Sequence, residues 1–241
     1  YIATHEGLLV LGDKGLYRLG ESQDDLMGFT IDLKDPKTFY SSGHPSRGGN
    51  IGFQKSTDGG ASWKKISDGM DGPVDFHSLA VSSQNSTLIY GWYHGALQRS
   101  TDGGENWSVL ETGLKDVIGL NASSSDENTL YAASMSGLLV SKDQGETWSV
   151  LSEDLSGSIV VAFAVDPSDP SRMLSFSDRL GLAESKDSGI SWTQVPNSFE
   201  TDYPTFISFS PTDTSLVHLI TKENALYKST NGGETWSKLN F

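Results

Sequence analysis

The sequence contains no cysteine. Disulfide scaffolds, thiolate-ligated zinc and thiol catalysis are thereby excluded. Basic residues are scarce, with 17 Lys and Arg against 31 Asp and Glu, for a net charge of −14. A phosphate backbone is held by Lys and Arg that displace its counterions, so a nucleic-acid partner is not expected. No apolar run reaches the ~18 residues that a membrane span needs, and no signal peptide is visible. Tyr1 reads as the inside of a strand, so residues are expected upstream of it. Hydrophobic residues at 36% and aromatics at 10% are enough for a core, which argues against disorder.

What is present is a repeat. Five segments align without gaps: KSTDGGASWKKI from Lys55, RSTDGGENWSVL from Arg99, VSKDQGETWSVL from Val140, ESKDSGISWTQV from Glu184 and KSTNGGETWSKL from Lys228. Their serines, Ser56, Ser100, Ser141, Ser185 and Ser229, are spaced by 44, 41, 44 and 44 residues. A period near 40–45 residues with four short strands per unit marks propeller blades. Each unit reads as an apolar strand, a turn, a second strand ending in a pair such as Phe39-Tyr40 or Ile89-Tyr90, a loop, a third strand, and the repeated turn into a fourth. Asp58, Asp102, Asp143, Asp187 and Asn231 are placed to accept backbone N–H groups across that turn, and the serines to do likewise. Trp63, Trp107, Trp148, Trp192 and Trp236 supply plates for packing between blades. The repeated turn is therefore read as structural.

Residues 1–20 complete the count as a blade without its first strand. The expectation is one all-β domain, residues 1–241, forming a six-bladed β-propeller of four-stranded antiparallel blades with the first incomplete. The blades are placed at about 1–20, 26–66, 75–110, 117–151, 159–195 and 205–239.

The turns resemble the BNR/Asp-box repeat, and the resemblance covers essentially the whole chain. Families with such boxes include sialidases, xyloglucan-specific glycosidases, sortilin-type receptors and a photosystem II assembly factor. They share the hairpin, so the box implies a fold and not a reaction. Between the boxes, MGF at Met27, YSSGHP at Tyr40, DFHSLAV at Asp75 and IYGW at Ile89 look similar to exported bacterial proteins that are often labelled glycosyl hydrolase by analogy. The resemblance implies an extracellular or cell-envelope location.

By fold-level analogy, the face opposite the boxes carries function. Aligning the blades puts His5, His44, His94, Met135, Asp178 and Lys222 at one equivalent position, the loop between strands two and three. His77 opens strand one of the third blade, where the second blade has Met27. Two residues earlier, Asp25, Asp75 and Asp116 point the same way by strand parity, whereas Ile159 and Tyr203 take that place in blades five and six. A ligand site is expected at this channel mouth, from His5, His44, His77, His94, Met27, Trp92, Tyr93 and Asp178. His5, His44 and His77 are also candidate ligands for a divalent metal, because imidazole with carboxylate suits zinc. His218 lies within a strand and reads as a packed residue.

The enzymatic readings are thinner. A sialidase resemblance implies an arginine triad and an RIP motif; the motif is absent, and only Arg47 and Arg179 fall in loops of the functional face. Another glycosidase would draw a carboxylate pair from Asp25, Asp75 and Asp116, with Trp92 and Tyr93 stacking on sugar. Xyloglucan-cleaving relatives pair two propellers around a long cleft, which one six-bladed ring lacks. Neither a GxSxG elbow nor a GxxxxGK[ST] loop occurs. The expected function is binding of a carbohydrate or protein ligand by a monomer, with glycoside hydrolysis and a scaffold role as the alternatives.

Overall fold

The computed structural model describes residues 1–12, 14–196, 199 and 202–240. Six antiparallel sheets follow one another along the chain, the blades of a six-bladed β-propeller. The first sheet has three strands, β1 (Ile2–Thr4), β2 (Gly7–Gly12) and β3 (Gly15–Leu19). The second contains β4 (Asp25–Ile31), β5 (Phe39–His44), β6 (Phe53–Ser56) and β7 (Lys64–Ser67). The third contains β8 (Ser78–Val81), β9 (Ile89–Tyr93), β10 (Ala96–Ser100) and β11 (Ser108–Leu110). Next come β12 (Val117–Ala122), β13 (Leu130–Ser134), β14 (Gly137–Ser141) and β15 (Ser149–Val150). The fifth has β16 (Val160–Val165), β17 (Met173–Ser177), β18 (Gly181–Ser185) and β19 (Thr193–Gln194). The sixth has β20 (Pro204–Phe209), β21 (Val217–Thr221), β22 (Leu226–Ser229) and β23 (Ser237–Lys238). The chain divides into two compact units, residues 1–114 and 115–240, with three sheets in each.

One detail of the sequence reading is corrected. The aliphatic and aromatic pairs open the second strands instead of ending them: Phe39-Tyr40 starts β5, Ile89-Tyr90 starts β9 and Met173-Leu174 starts β17. The cause is a turn just upstream, closed by Thr38 N–H to the Asp35 carbonyl and its equivalents at Asn85, Asp126, Asp169 and Asp213. Chain leaving that turn is already extended.

The box turns repeat one hydrogen-bond pattern. In the third blade, Ser100 Oγ donates to Asp102 Oδ1 (2.8 Å) and accepts the Gly104 N–H (2.8 Å). Asp102 in turn accepts the Asn106 N–H (2.9 Å) and its side-chain amide (2.8 Å). The same bonds recur from Ser56, Ser141, Ser185 and Ser229, where Asn231 replaces the carboxylate and keeps the Oδ1 contacts. The Gly103 N–H and its four counterparts also reach a carbonyl of the turn between strands one and two, which locks the two turns of each blade together. The residue at this position is left-handed in every box. Glycine fills it three times, but Gln144 (φ 59°) and Ser188 (φ 63°) carry a Cβ there.

Two of the box tryptophans, Trp107 and Trp192, are buried in the packing between sheets, as their size suggests. Trp107 packs edge-on against Phe53 (5.2 Å) and against Phe76 (4.8 Å). Trp192 lies in a buried cluster with Tyr131, Leu138, Val160 and Phe163. The indole N–H of Trp107, Trp148 and Trp192 each donates to the carbonyl of its own box glycine. Close approach requires the second box glycine: a Cβ on Gly104 would stand 2.0 Å from the Phe53 ring.

Candidate functional site

In the unit of residues 1–114, the face opposite the box turns gathers three histidines onto two carboxylates. Its foundation is Phe76. The ring is fully buried, between Gly91 and Trp107, and anchors the segment before β8. Ser42, buried on β5, brackets the backbone of that anchor: its Oγ accepts the Phe76 N–H (2.6 Å) and donates to the Phe76 carbonyl (3.2 Å). Alternation along an extended chain then sends Asp75 and His77 to the other side. Asp75 Oδ2 meets His44 Nε2 at 2.9 Å and His77 Nε2 at 3.0 Å. The Asp75 side chain is 3% exposed, whereas those of His44 and His77 are 44% and 64% exposed. Two imidazoles therefore roof a buried carboxylate.

His5 sits in the turn between β1 and β2, and its Nδ1 meets Asp25 Oδ2 at 2.7 Å. Asp25 opens β4 directly opposite His44 on β5. Gly43 permits that pairing, since a Cβ there would fall within 1.9 Å of the Asp25 carbonyl oxygen. Each aspartate keeps one buried oxygen, Oδ1, without a hydrogen-bond partner among the described residues. A buried polar atom left unpaired costs free energy, and such atoms mark places where water or a ligand completes the structure.

Residues 45–52, between β5 and β6, close over this group. His44 Nδ1 meets the Gly49 carbonyl at 2.9 Å, and the Ser46 N–H donates to Asp24 Oδ1 (3.2 Å). Asn50 Nδ2 donates to the Pro73 carbonyl (2.9 Å) and to the Tyr93 hydroxyl oxygen (2.8 Å). His94 stacks on the Tyr93 ring, with centroids 3.9 Å apart. The pKa of His44 is raised by the Gly49 carbonyl and by the charges of Asp75 and Asp25, against an opposing effect of burial.

The other expected residues behave differently. Met27 lies on β4, opposite Ser42, and its carbonyl accepts the Ser41 hydroxyl. Trp92 is buried on β9, so the expected sugar-stacking role passes to the core instead, and one face of Tyr93 is covered by His94. Asp116 and Asp178 belong to the unit of residues 115–240. Asp116 adopts φ 52° in a turn where its carbonyl accepts the Met135 N–H. Asp178 accepts the Ser158 hydroxyl (2.5 Å) and the Ile159 N–H (2.9 Å), bonds that lower its pKa. Lys222 lies over the Tyr203 ring, which itself stacks on Phe176. His218 is half-buried on β21, and burial lowers its pKa. Among the described residues, no three His, Asp or Glu side chains are grouped to hold a metal ion.

Ser42, Gly49, Asn50 and Phe76 were not among the residues expected from the sequence. The signal available for Gly49 and Asn50 was loop length. Residues 45–52 join two strands that the equivalent blades connect by short turns, such as His94-Gly95 between β9 and β10.

The fold defines a class, a six-bladed β-propeller with a repeated box turn, and one of those turns is similar to the BNR/Asp-box repeat, whose description matches residues 98–109. The description "Sortilin, neurotensin receptor 3" matches residues 136–241. No curated protein matches the sequence. Among solved structures, the GH74 xyloglucanase from Xanthomonas campestris is similar, with a TM-score of 0.66 and 17% identity. That match covers 89% of this chain and 37% of the xyloglucanase, so the chain spans little more than a third of that protein's length. YCF48 from Cyanidioschyzon merolae is similar over 89% of this chain and 84% of its own, with a TM-score of 0.57 and 16% identity. YCF48 bound to D1 peptide is similar over 88% of this chain, with a TM-score of 0.51 and 16% identity. At these identities the likenesses concern the fold.

Proposed function

We propose that this chain is an exported binding propeller that receives a peptide or protein partner at the His/Asp group opposite its box turns. The observation that carries the reading is Asp75, a buried carboxylate held under two exposed imidazoles, with its Oδ1 unpartnered among the described residues. Exposed His77 and His5 each engage a carboxylate through one ring nitrogen, which orients the ring. The other nitrogen, Nδ1 of His77 and Nε2 of His5, is left for a ligand. The choice of a peptide over a sugar draws on YCF48 bound to D1 peptide, a likeness that extends over most of both chains.

Glycoside hydrolysis is the second reading, favoured by the likeness to GH74 xyloglucanases. Against it, two of the three candidate carboxylates are already tied to imidazoles, and Asp116 contributes its backbone to a turn. Binding to an array of synthetic peptides and to an array of oligosaccharides tests both. The expected result is peptide binding that weakens at least tenfold in His77→Ala and His5→Ala, with no turnover of aryl glycosides. Turnover abolished by Asp75→Asn would replace the binding reading with the hydrolytic one. Binding indifferent to both histidines would move the site elsewhere.

A further inference from the structure

We infer that His44 is held as an imidazolium and acts as a proton-dependent clasp that fastens the tip of loop 45–52 over the site. The inference concerns the same site as the proposed function, but its test needs no ligand. The geometry leaves little choice of proton count. Nδ1 faces the Gly49 carbonyl oxygen, which can only accept. Nε2 faces Asp75 Oδ2, which also receives the His77 ring. A neutral imidazole has one N–H and can serve only one of two acceptors. Both contacts at hydrogen-bond length therefore require one proton more than neutral His44 beside ionised Asp75 holds. That proton belongs to the pair, whether it rests nearer Nε2 or Oδ2.

The charged surroundings favour it. Asp75 faces His44 from the segment before β8, and Asp25 stands opposite on β4. His77 reaches the group through Asp75, and His5 through Asp25. Arg47 is the charged residue of the loop itself. Two carboxylates thus surround one cationic ring, with two further imidazoles behind them. The raised pKa of His44 agrees in direction.

The consequence is directional. A group whose pKa is raised in the folded state contributes its full stabilisation below its ordinary value, about 6.5 for imidazole. That contribution disappears as pH climbs through the raised value. On losing the proton, His44 keeps one N–H. The ionised Asp75 is the stronger acceptor and retains it, because charge-assisted bonds outlast neutral ones. Nδ1 and the Gly49 carbonyl then present lone pairs to each other, and the tip at Gly48-Gly49 is released. Both glycines are in left-handed backbone (φ 84° and 86°), with open space where a Cβ would be. The ends of the loop stay tied by Ile51 N–H to the Gly43 carbonyl and Gly52 N–H to the Val74 carbonyl.

The test is a pH titration of the whole, ¹⁵N-labelled chain followed by two-bond ¹H–¹⁵N correlation of the imidazoles, with ¹⁵N relaxation of the backbone in parallel. The expected result is two protonated ring nitrogens on His44 with a midpoint above the ordinary imidazole value. Over the same midpoint, the amides of Gly48 and Gly49 lose their heteronuclear NOE, while those of Ser46 and Asn50, held through Asp24, Pro73 and Tyr93, and those of β5 and β6 do not. Asp75→Asn, where it folds, lowers the midpoint; the wild-type titration decides the matter without it. A bare nitrogen on His44 in the acid half of the titration, a midpoint at or below the ordinary value, or loop amides unchanged through it would overturn the inference.

Discussion

The box turns and the His/Asp group lie at opposite ends of the same strands, and they solve opposite problems. In each box, the serine and the residue two positions on bind each other, a glycine amide and the chain four residues beyond, five times over. Nothing in that arrangement is left for a visitor. Among the described residues, the His/Asp group occurs once, exposes its imidazoles, and keeps two buried carboxylate oxygens without a partner. Repetition, with the serine and its Asp or Asn partner bonded within each turn, is the mark of a scaffold. A single arrangement with spare hydrogen-bonding capacity is where a ligand adds something.

The largest effect expected is on the scaffold side. Trp107→Ala removes a plate buried against Phe53 and Phe76 and should cost about 3–5 kcal/mol, read as a lower urea midpoint. Ser100→Ala leaves the buried Gly104 N–H without its acceptor and should cost about 1–3 kcal/mol in the same assay.

Acid should separate the two ends as well. Asp58, Asp102, Asp143 and Asp187 have pKa values lowered to about 2, chiefly by hydrogen bonds from the residue four positions on. A carboxyl depressed in the folded state stabilises above its unfolded value, near 4, and loses that contribution as pH falls toward 2. Stability should therefore decline between about pH 4 and pH 2, with the Asn231 box contributing nothing to the slope. Replacing Asp102 by Asn, the natural choice of the fifth box, should flatten that decline.

Smaller effects complete the contrast. His77→Ala removes one of two imidazoles bonded to Asp75 Oδ2 and should cost about 0.5–1.5 kcal/mol while weakening ligand binding. Gln144→Gly relieves a left-handed residue in a box and should stabilise by about 0.5–1 kcal/mol.

The two ends also differed in how far they could be read from sequence. A box is local: Ser, Asp, Gly and Trp at fixed offsets determine its bonds, and five copies set the blade register. The expected incomplete first blade is present as β1, β2 and β3. The site is non-local. Equivalent positions brought His5, His44 and His94 to one face, the start of strand one in the third blade added His77, and strand parity added Asp25 and Asp75. No pattern in the chain said that His44 and His77 would share one oxygen of Asp75, because that depends on Ser42 gripping the Phe76 backbone from another sheet. Parity also treated Asp116 as equivalent to Asp25 and Asp75, yet its left-handed backbone gives it a turn to make instead. Trp92 read as a sugar-stacking ring because it lies beside Tyr93 and His94; β9 is buried from Ile89 through Trp92, and only Tyr93 is partly exposed.

The most direct test of this division is one binding measurement on two variants. A peptide selected by the wild-type chain from the array is titrated against His77→Ala and against Gln144→Gly. The account predicts at least a tenfold loss of affinity in the first, with the chain still fully folded at the urea-free titration conditions, and full affinity in the second. Equal affinity in His77→Ala, or a loss in Gln144→Gly, would contradict it.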